Sequence, residues 1–132
     1  MRMHDADEVY DRALQYERSL SAQGDRALRD LLTFHGSVEN GGLLDAVENY
    51  AKDEAFPVAR VIDAYRYFGL EALASLISEC LGERLAVGEE DWAAGERLEF
   101  RFDPQYMLDD KDLTGALRKR VATSPGDFAP TG

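Results

Sequence analysis

Residues 38–50 read Val38-Glu39-Asn40-Gly41-Gly42-Leu43-Leu44-Asp45-Ala46-Val47-Glu48-Asn49-Tyr50. Leu43, Leu44, Val47 and Tyr50 follow the spacing of an amphipathic helix that starts just after the glycine pair. Two adjacent glycines carry a large backbone entropy cost, so they mark a place where the chain must turn or pack closely. The local reading is a tight, capped helix start, with Asn40 as the N-cap and Gly41 and Gly42 allowing close backbone packing. In the alternative, the Asn40 side chain holds a ligand in a pocket.

Outward from this stretch the pattern stays helical. On the N-terminal side, Val9, Ala13, Tyr16 and Leu20 share a stripe of a first helix from about Asp5 to Leu20. Ser21-Ala22-Gln23-Gly24 breaks it. Leu28, Leu31, Leu32 and His35 mark a second helix from about Asp25, which Gly36-Ser37 is expected to close. On the C-terminal side, Pro57 opens a helix carrying Val58, Val61, Ile62 and Tyr65. Gly69 divides it from another with Leu70, Leu73, Ile77 and Leu81 inward and Leu76 alongside, ended by Gly82.

The segment near residues 85–104 is the irregular part, and its start, Leu85-Ala86-Val87-Gly88, reads as a turn or a short extension of the preceding helix. Leu98, Phe100 and Phe102 alternate with Glu99 and Arg101, which is a strand period. A lone strand has no partner, so the reading is an extended segment laying aromatics onto the helices. A last helix spans about Asp110–Ala122 with Leu113, Leu117 and Val121 inward. Acids crowd its start and Arg118-Lys119-Arg120 its end, as the helix dipole favours. Ser124–Gly132 holds two Pro and two Gly and reads as a flexible tail. The expectation is an all-α, single compact domain of five to six helices over residues 1–123, with residues 124–132 as that tail.

A chain of 132 residues with 45% apolar content can bury roughly two thirds of its unfolded surface in one core. Cys80 is the only cysteine, flanked by Leu76, Ile77 and Leu81, and reads as a packed thiol in a reducing compartment. Met1-Arg2-Met3-His4-Asp5 has no apolar stretch behind it, and no long apolar run occurs elsewhere, so the expected location is the cytoplasm.

Enzymatic signatures are sparse. His35 and Glu39 stand four apart, but zinc needs more ligands, and His4 is the only other histidine. Asp109-Asp110-Lys111-Asp112 starts like a calcium loop, yet Thr114 and Arg120 stand where its Gly and Glu belong; helix capping fits better. No nucleophile motif or phosphate loop occurs. The reading is therefore no metal, no cofactor and no catalytic residue, although a carboxylate-only enzyme leaves little trace in sequence.

Charge is the strongest global feature: 26 acids against 15 bases, net −11. Such a chain repels nucleic acid and anionic membrane and attracts basic surfaces, although acidity also serves plain solubility. Glu79, Glu83, Glu89, Glu90, Asp91, Glu96, Glu99, Asp103, Asp109, Asp110 and Asp112 face only Arg84, Arg97, Arg101 and Lys111, eleven acids against four bases, so this segment alone carries −7. Asp45, Glu48, Asp53 and Glu54 form a second acidic zone. A domain of this length is about 36 Å across, and duplex DNA of that length carries about 20 charges. Gathered on one face, these carboxylates would imitate a short DNA segment; spread evenly, they would not. The expected partner-binding residues are Asp45, Glu48, Asp53, Glu54, Glu89, Glu90, Asp91, Glu96, Glu99, Asp103, Asp109, Asp110 and Asp112.

Val38-Glu39-Asn40-Gly41-Gly42-Leu43 followed by Tyr50 resembles the Asn-Gly-Gly-aromatic/aliphatic core of the DNA-mimic-protein-nineteen-like family, a bacterial domain family. Ala64–Leu81, with Gly69-Leu70 between two helices, is similar to that family's helix–Gly–helix segment. Asp103–Val121, with Tyr106 and an acidic turn, resembles its closing block. The likeness spans roughly residues 25–122. It departs where Leu43 and Leu44 stand in place of an aromatic and a Gln, and Glu83–Phe102 has no clear counterpart. The resemblance implies an all-helical fold. The family takes its name from an acidic member that dimerises and occupies the DNA-binding face of a transcription regulator. By that analogy the partner is a basic protein surface, with a possible homodimer, and Asn40, Gly41 and Gly42 are structural. Two other readings stay open: a small-molecule-binding or hydrolytic domain with a pocket near Asn40, and an immunity or antitoxin-like protein that neutralises one specific partner.

Overall fold

The computed structural model describes residues 3–16 and 18–131, with side chains from Asp5 onward. The fold is all-α, with seven α-helices and no strand among the described residues. In order they are α1 (Met3–Ala13), α2 (Gln23–Gly41), α3 (Leu43–Tyr50), α4 (Val58–Tyr67), α5 (Glu71–Ala86), α6 (Trp92–Phe102) and α7 (Asp110–Thr123). Short 3-10 turns cover Asp103–Gln105 and Pro125–Asp127. No helix among these is long and apolar enough to cross a membrane.

Helix α2 is the hub. It packs on α1, α3 and α4, while α5 packs on α3 and α4. Its apolar face, Leu28, Leu31, Leu32, Phe34 and Val38, meets Val47, Val61, Tyr65 and Ile77 in one core. Helix α6 covers α3 and α5, and α7 covers α1. Pro57 caps α4 from just outside, with extended backbone, and Gly69 turns the chain into α5 with a positive φ of 76°.

Four sequence expectations change. The first helix stops at Ala13 instead of Leu20, so Tyr16 is exposed and Leu20 lies in the connection; Glu17 and the His4 side chain are outside the described residues. The stop has a cause. The Arg29 guanidinium donates to the carbonyls of Arg12, Ala13, Gln15 and Arg18, satisfying the end of α1 from a neighbouring helix. Second, α2 runs through Gly36-Ser37 to Gly41, because burial of Phe34, His35 and Val38 outweighs the weak helix propensity of one glycine. Helix α5 likewise passes Gly82 and takes the short extension as far as Ala86, one of the two readings of that stretch; Ala74, Ile77 and Cys80 form its most buried stripe, with Leu70, Leu73, Leu76 and Leu81 half-buried around it.

Third, the segment near 85–104 is mostly helix. Asp91 caps α6 by accepting from the Ala94 N–H at 3.0 Å. Ala94, Leu98 and Phe102 point inward at four-residue spacing, and Phe100 is 87% exposed. Leu98 and Phe102 satisfy both periods; Phe100 belongs to neither buried face.

Fourth, residues 124–131 pack on the domain. The Phe128 ring is buried against Gly24, where a Cβ would collide with it. Beside it, Arg12 and Asp25 form an ion pair at 2.7 Å, 4% and 0% exposed. Asp25 also accepts from the Ala129 N–H at 2.8 Å, and Arg12 donates to the carbonyls of Ala129 and Pro130. One buried pair thus ties α1, α2 and the C-terminal segment together.

Cys80 is the packed thiol its neighbours suggest, 0% exposed. Burial first, then the Asp103 and Glu48 carboxylates, push its pKa up to about 12. Iodoacetamide at about pH 8 should leave the native thiol unmodified and alkylate it in urea, because only the thiolate reacts. Equal labelling rates with and without urea, read by mass spectrometry, would contradict this burial.

Candidate functional site

The glycine pair explains itself through a distant acid. Asn40 is not a cap: it is an exposed residue in the last turn of α2. Gly42 links α2 to α3 with φ 94° and ψ 169°, a conformation open essentially to glycine alone. Its bare Cα lets the Asp103 carboxylate approach, and Asp103 accepts from the Leu44 N–H at 2.9 Å. A Cβ on Gly42 would run into that carboxylate. The N-cap of α3 therefore comes from the far end of α6, 59 residues along the chain.

His35, behind this junction, is held from both sides. Its Nδ1 shares a hydrogen bond with the Tyr106 hydroxyl at 2.9 Å, and its Nε2 meets Glu39 at 3.2 Å. Tyr106 in turn shares a hydrogen bond of 2.5 Å with the buried Tyr65 hydroxyl. Burial raises the pKa of both tyrosines above the ordinary phenol range. This chain of rings clasps α2, α4 and the turn before α7.

The thirteen expected acidic residues separate into groups. Glu48, Glu89, Asp91, Glu96 and Glu99 meet in a groove of about 350 Å³ between α3, the end of α5 and α6. Arg84 is its one basic lining residue, so five carboxylates against one guanidinium leave a formal −4. Arg84 pairs with Glu48 at 2.8 Å, and Lys52 pairs with Glu89. The Glu96 and Glu99 side chains have no hydrogen-bond or ion-pair partner among the described residues. Glu90 and Glu54 are exposed in the flanking connections, and Asp45 is exposed on α3, where it accepts from Asn49. Asp53 is used in a turn, accepting from the Ala55 and Phe56 N–H groups.

Asp109, Asp110 and Asp112 lie elsewhere, at the start of α7. Asp109 caps that helix through the Asp112 N–H at 2.8 Å. Asp110 joins Asp7, Asp11 and Tyr10 in a separate groove of about 490 Å³ between α1 and α7. Burial first, then Asp110 and Glu39, raise the Tyr10 hydroxyl pKa. Helix packing thus collects carboxylates in two grooves, and Asn40 lines neither.

Sequence reasoning missed Trp92. It stands at the rim of the first groove, 83% exposed, with Glu96 and Phe100 following it at four-residue spacing on the outer face of α6. The available signal was its offset of two positions from Ala94. It also missed Asp7 and Asp11, which only the docking of α7 brings to Asp110.

No curated protein and no solved structure matches the chain. The sequence pattern of the family described as DMP19-like protein matches residues 18–123, from the α1–α2 connection through the end of α7. That span contains the Gly42–Asp103 junction, the His35 clasp and the whole α3–α5–α6 groove. The chain belongs to the DMP19-like protein family.

Proposed function

We propose that this protein is a non-enzymatic interaction protein of the cytoplasm, whose acidic surface occupies the basic face of a DNA-binding protein in the place of DNA. The observation that carries the reading is the groove of Glu48, Glu89, Asp91, Glu96 and Glu99, in a chain of net −11 that belongs to this family. Carboxylates one helical turn apart stand about 5–6 Å from each other, comparable with neighbouring phosphates along a strand. Complementary charge steers such an encounter and makes it strongly salt-sensitive. Pairing of two copies would enlarge the acidic area.

The test is a pull-down from lysate at about 50 mM and about 500 mM salt, with the recovered protein identified and then challenged with duplex DNA. The expected result is a DNA-binding protein held only at low salt and displaced by the duplex. Recovery of no basic partner at either salt, or of one that keeps its DNA while bound, would overturn the reading.

A further inference from the structure

Three arginines on the surface of this domain are seated in similar ways. Arg60 lies 5.2 Å from the Phe56 ring centre and makes two hydrogen bonds to the Asp30 carboxylate, of 2.8 and 2.7 Å. Arg101 lies 4.7 Å from the Phe102 ring and 2.7 Å from Glu79. Arg120 lies 4.0 Å over the Tyr67 ring and 3.7 Å from Asp127. Each guanidinium rests near an aromatic ring with a carboxylate beside it, hydrogen-bonded in the case of Arg60 and Arg101 and in ionic contact only in the case of Arg120, an arrangement the planar arginine head suits better than lysine.

Trp92 and Glu96 present the same pair of groups on the outer face of α6, with Glu99 one turn further on. No guanidinium of the described residues lies over the indole, and Glu96 and Glu99 are unpaired among them. Trp92 is the only tryptophan of the chain and its most exposed large aromatic besides Phe100 on the same stripe. Two large aromatics exposed along one helix face and rimmed by carboxylates have the character of a surface that a partner covers. A second copy of the chain is a poor cover, since symmetric pairing through this face would set one acidic patch, Asp91, Glu96 and Glu99, against the same acidic patch of the other copy.

We propose that Trp92, Glu96 and Glu99 form a docking site for an arginine side chain of the basic partner, the indole stacking on the guanidinium while a carboxylate accepts its N–H groups. This rests on the function proposed above and adds to it a preference for arginine over lysine. General acidity attracts both cations alike. An aromatic–carboxylate pair distinguishes them, because guanidinium is planar, forked and weakly hydrated.

The experiment is fluorescence anisotropy of labelled nona-arginine and nona-lysine peptides with the full chain at low salt. The wild type should hold nona-arginine about fivefold more tightly than nona-lysine. Trp92→Leu should erase that preference by weakening nona-arginine more than nona-lysine. The pair Glu96→Gln with Glu99→Gln should weaken nona-arginine about tenfold, and the charge-matched pair Asp110→Asn with Asp112→Asn less than about threefold. Emission from the single tryptophan should change with nona-arginine and stay constant on diluting the protein alone. Retention of the preference in Trp92→Leu, equal loss in the two double variants, or a dilution-dependent emission would overturn this site while leaving the acidic-surface reading intact. Failure of both peptides to bind the wild type would overturn that reading as well.

Discussion

The Asp25→Ala variant loses about 3–5 kcal/mol of folding stability, a large part of the roughly 5–15 kcal/mol that holds a domain of this size. The variant strands a charge. Arg12 is 4% exposed, and its Nε and Nη2 both donate to Asp25 Oδ1, at 3.2 and 2.7 Å. Without the carboxylate, the guanidinium keeps only the Ala129 and Pro130 carbonyls, which neutralise nothing. The Ala129 N–H loses its acceptor at the same time. Urea titration read by circular dichroism measures the loss. The C-terminal segment should come free first, because its hold on α2 is Phe128 against Gly24 plus this one acceptor. Carboxypeptidase should therefore trim the variant back towards Ser124 under conditions where the wild type resists. Asp25→Asn, which keeps an oxygen for Ala129 but not the charge, should fall between the two. A midpoint within about 1 kcal/mol of wild type for Asp25→Ala would mean that the pair does not hold the two ends. An exposed acid gives the contrast: Glu96→Gln should stay within about 0.5 kcal/mol.

The same pair shows where sequence reading stops. Helices α3, α4, α5 and α7 were legible because their apolar residues recur at three and four, a local property. Arg12, Asp25 and Ala129 are separated by 13 and 104 positions, and no local period connects them. Residues 124–131 therefore looked like a tail on composition, although Phe128 was available as a lone aromatic among Pro and Gly. Helix α6 was misread for a different reason. Leu98 and Phe102 fit both periods, and Phe100 tipped the balance towards a strand; in fact it faces solvent. The Asp91 cap and Ala94 were the local cues that decide it. For the candidate site, the sequence supplied the number of carboxylates but not their grouping. Helix α6 packs on α3 and α5, and α7 packs on α1, so acids close in sequence, such as Glu99 and Asp110, line different grooves.

Replacing Gly42 with alanine should cost about 3 kcal/mol or more, through two effects that can be separated. The first is backbone strain: at φ 94° and ψ 169°, an L side chain has no comfortable conformation. The second is the collision of its Cβ with the Asp103 carboxylate, which must withdraw from the Leu44 N–H it now caps. Asp103→Ala alone removes that cap and should cost about 1–2 kcal/mol. In Asp103→Ala the collision has nothing to strike, so adding Gly42→Ala should cost only the strain, about 1–3 kcal/mol. The double variant should then be more stable than the two single losses predict, by about 1 kcal/mol or more. Strict additivity would separate Gly42 from Asp103 energetically and leave the conservation of backbone geometry as its only role. Gly41 should behave differently despite standing next door. It is helical, and an added Cβ would meet the carboxylate of the exposed Asp45, a flexible side chain that can swing away. Gly41→Ala is thus expected to be neutral or mildly stabilising, since alanine is the better helix former. Asn40→Ala, at an exposed helical position without a capping bond, should also change little. Of the three residues in the motif, only the second glycine then carries a stability demand, and an acid 61 positions away in the chain makes that demand: Asp103 can reach the start of α3 only where the backbone has no side chain in its path.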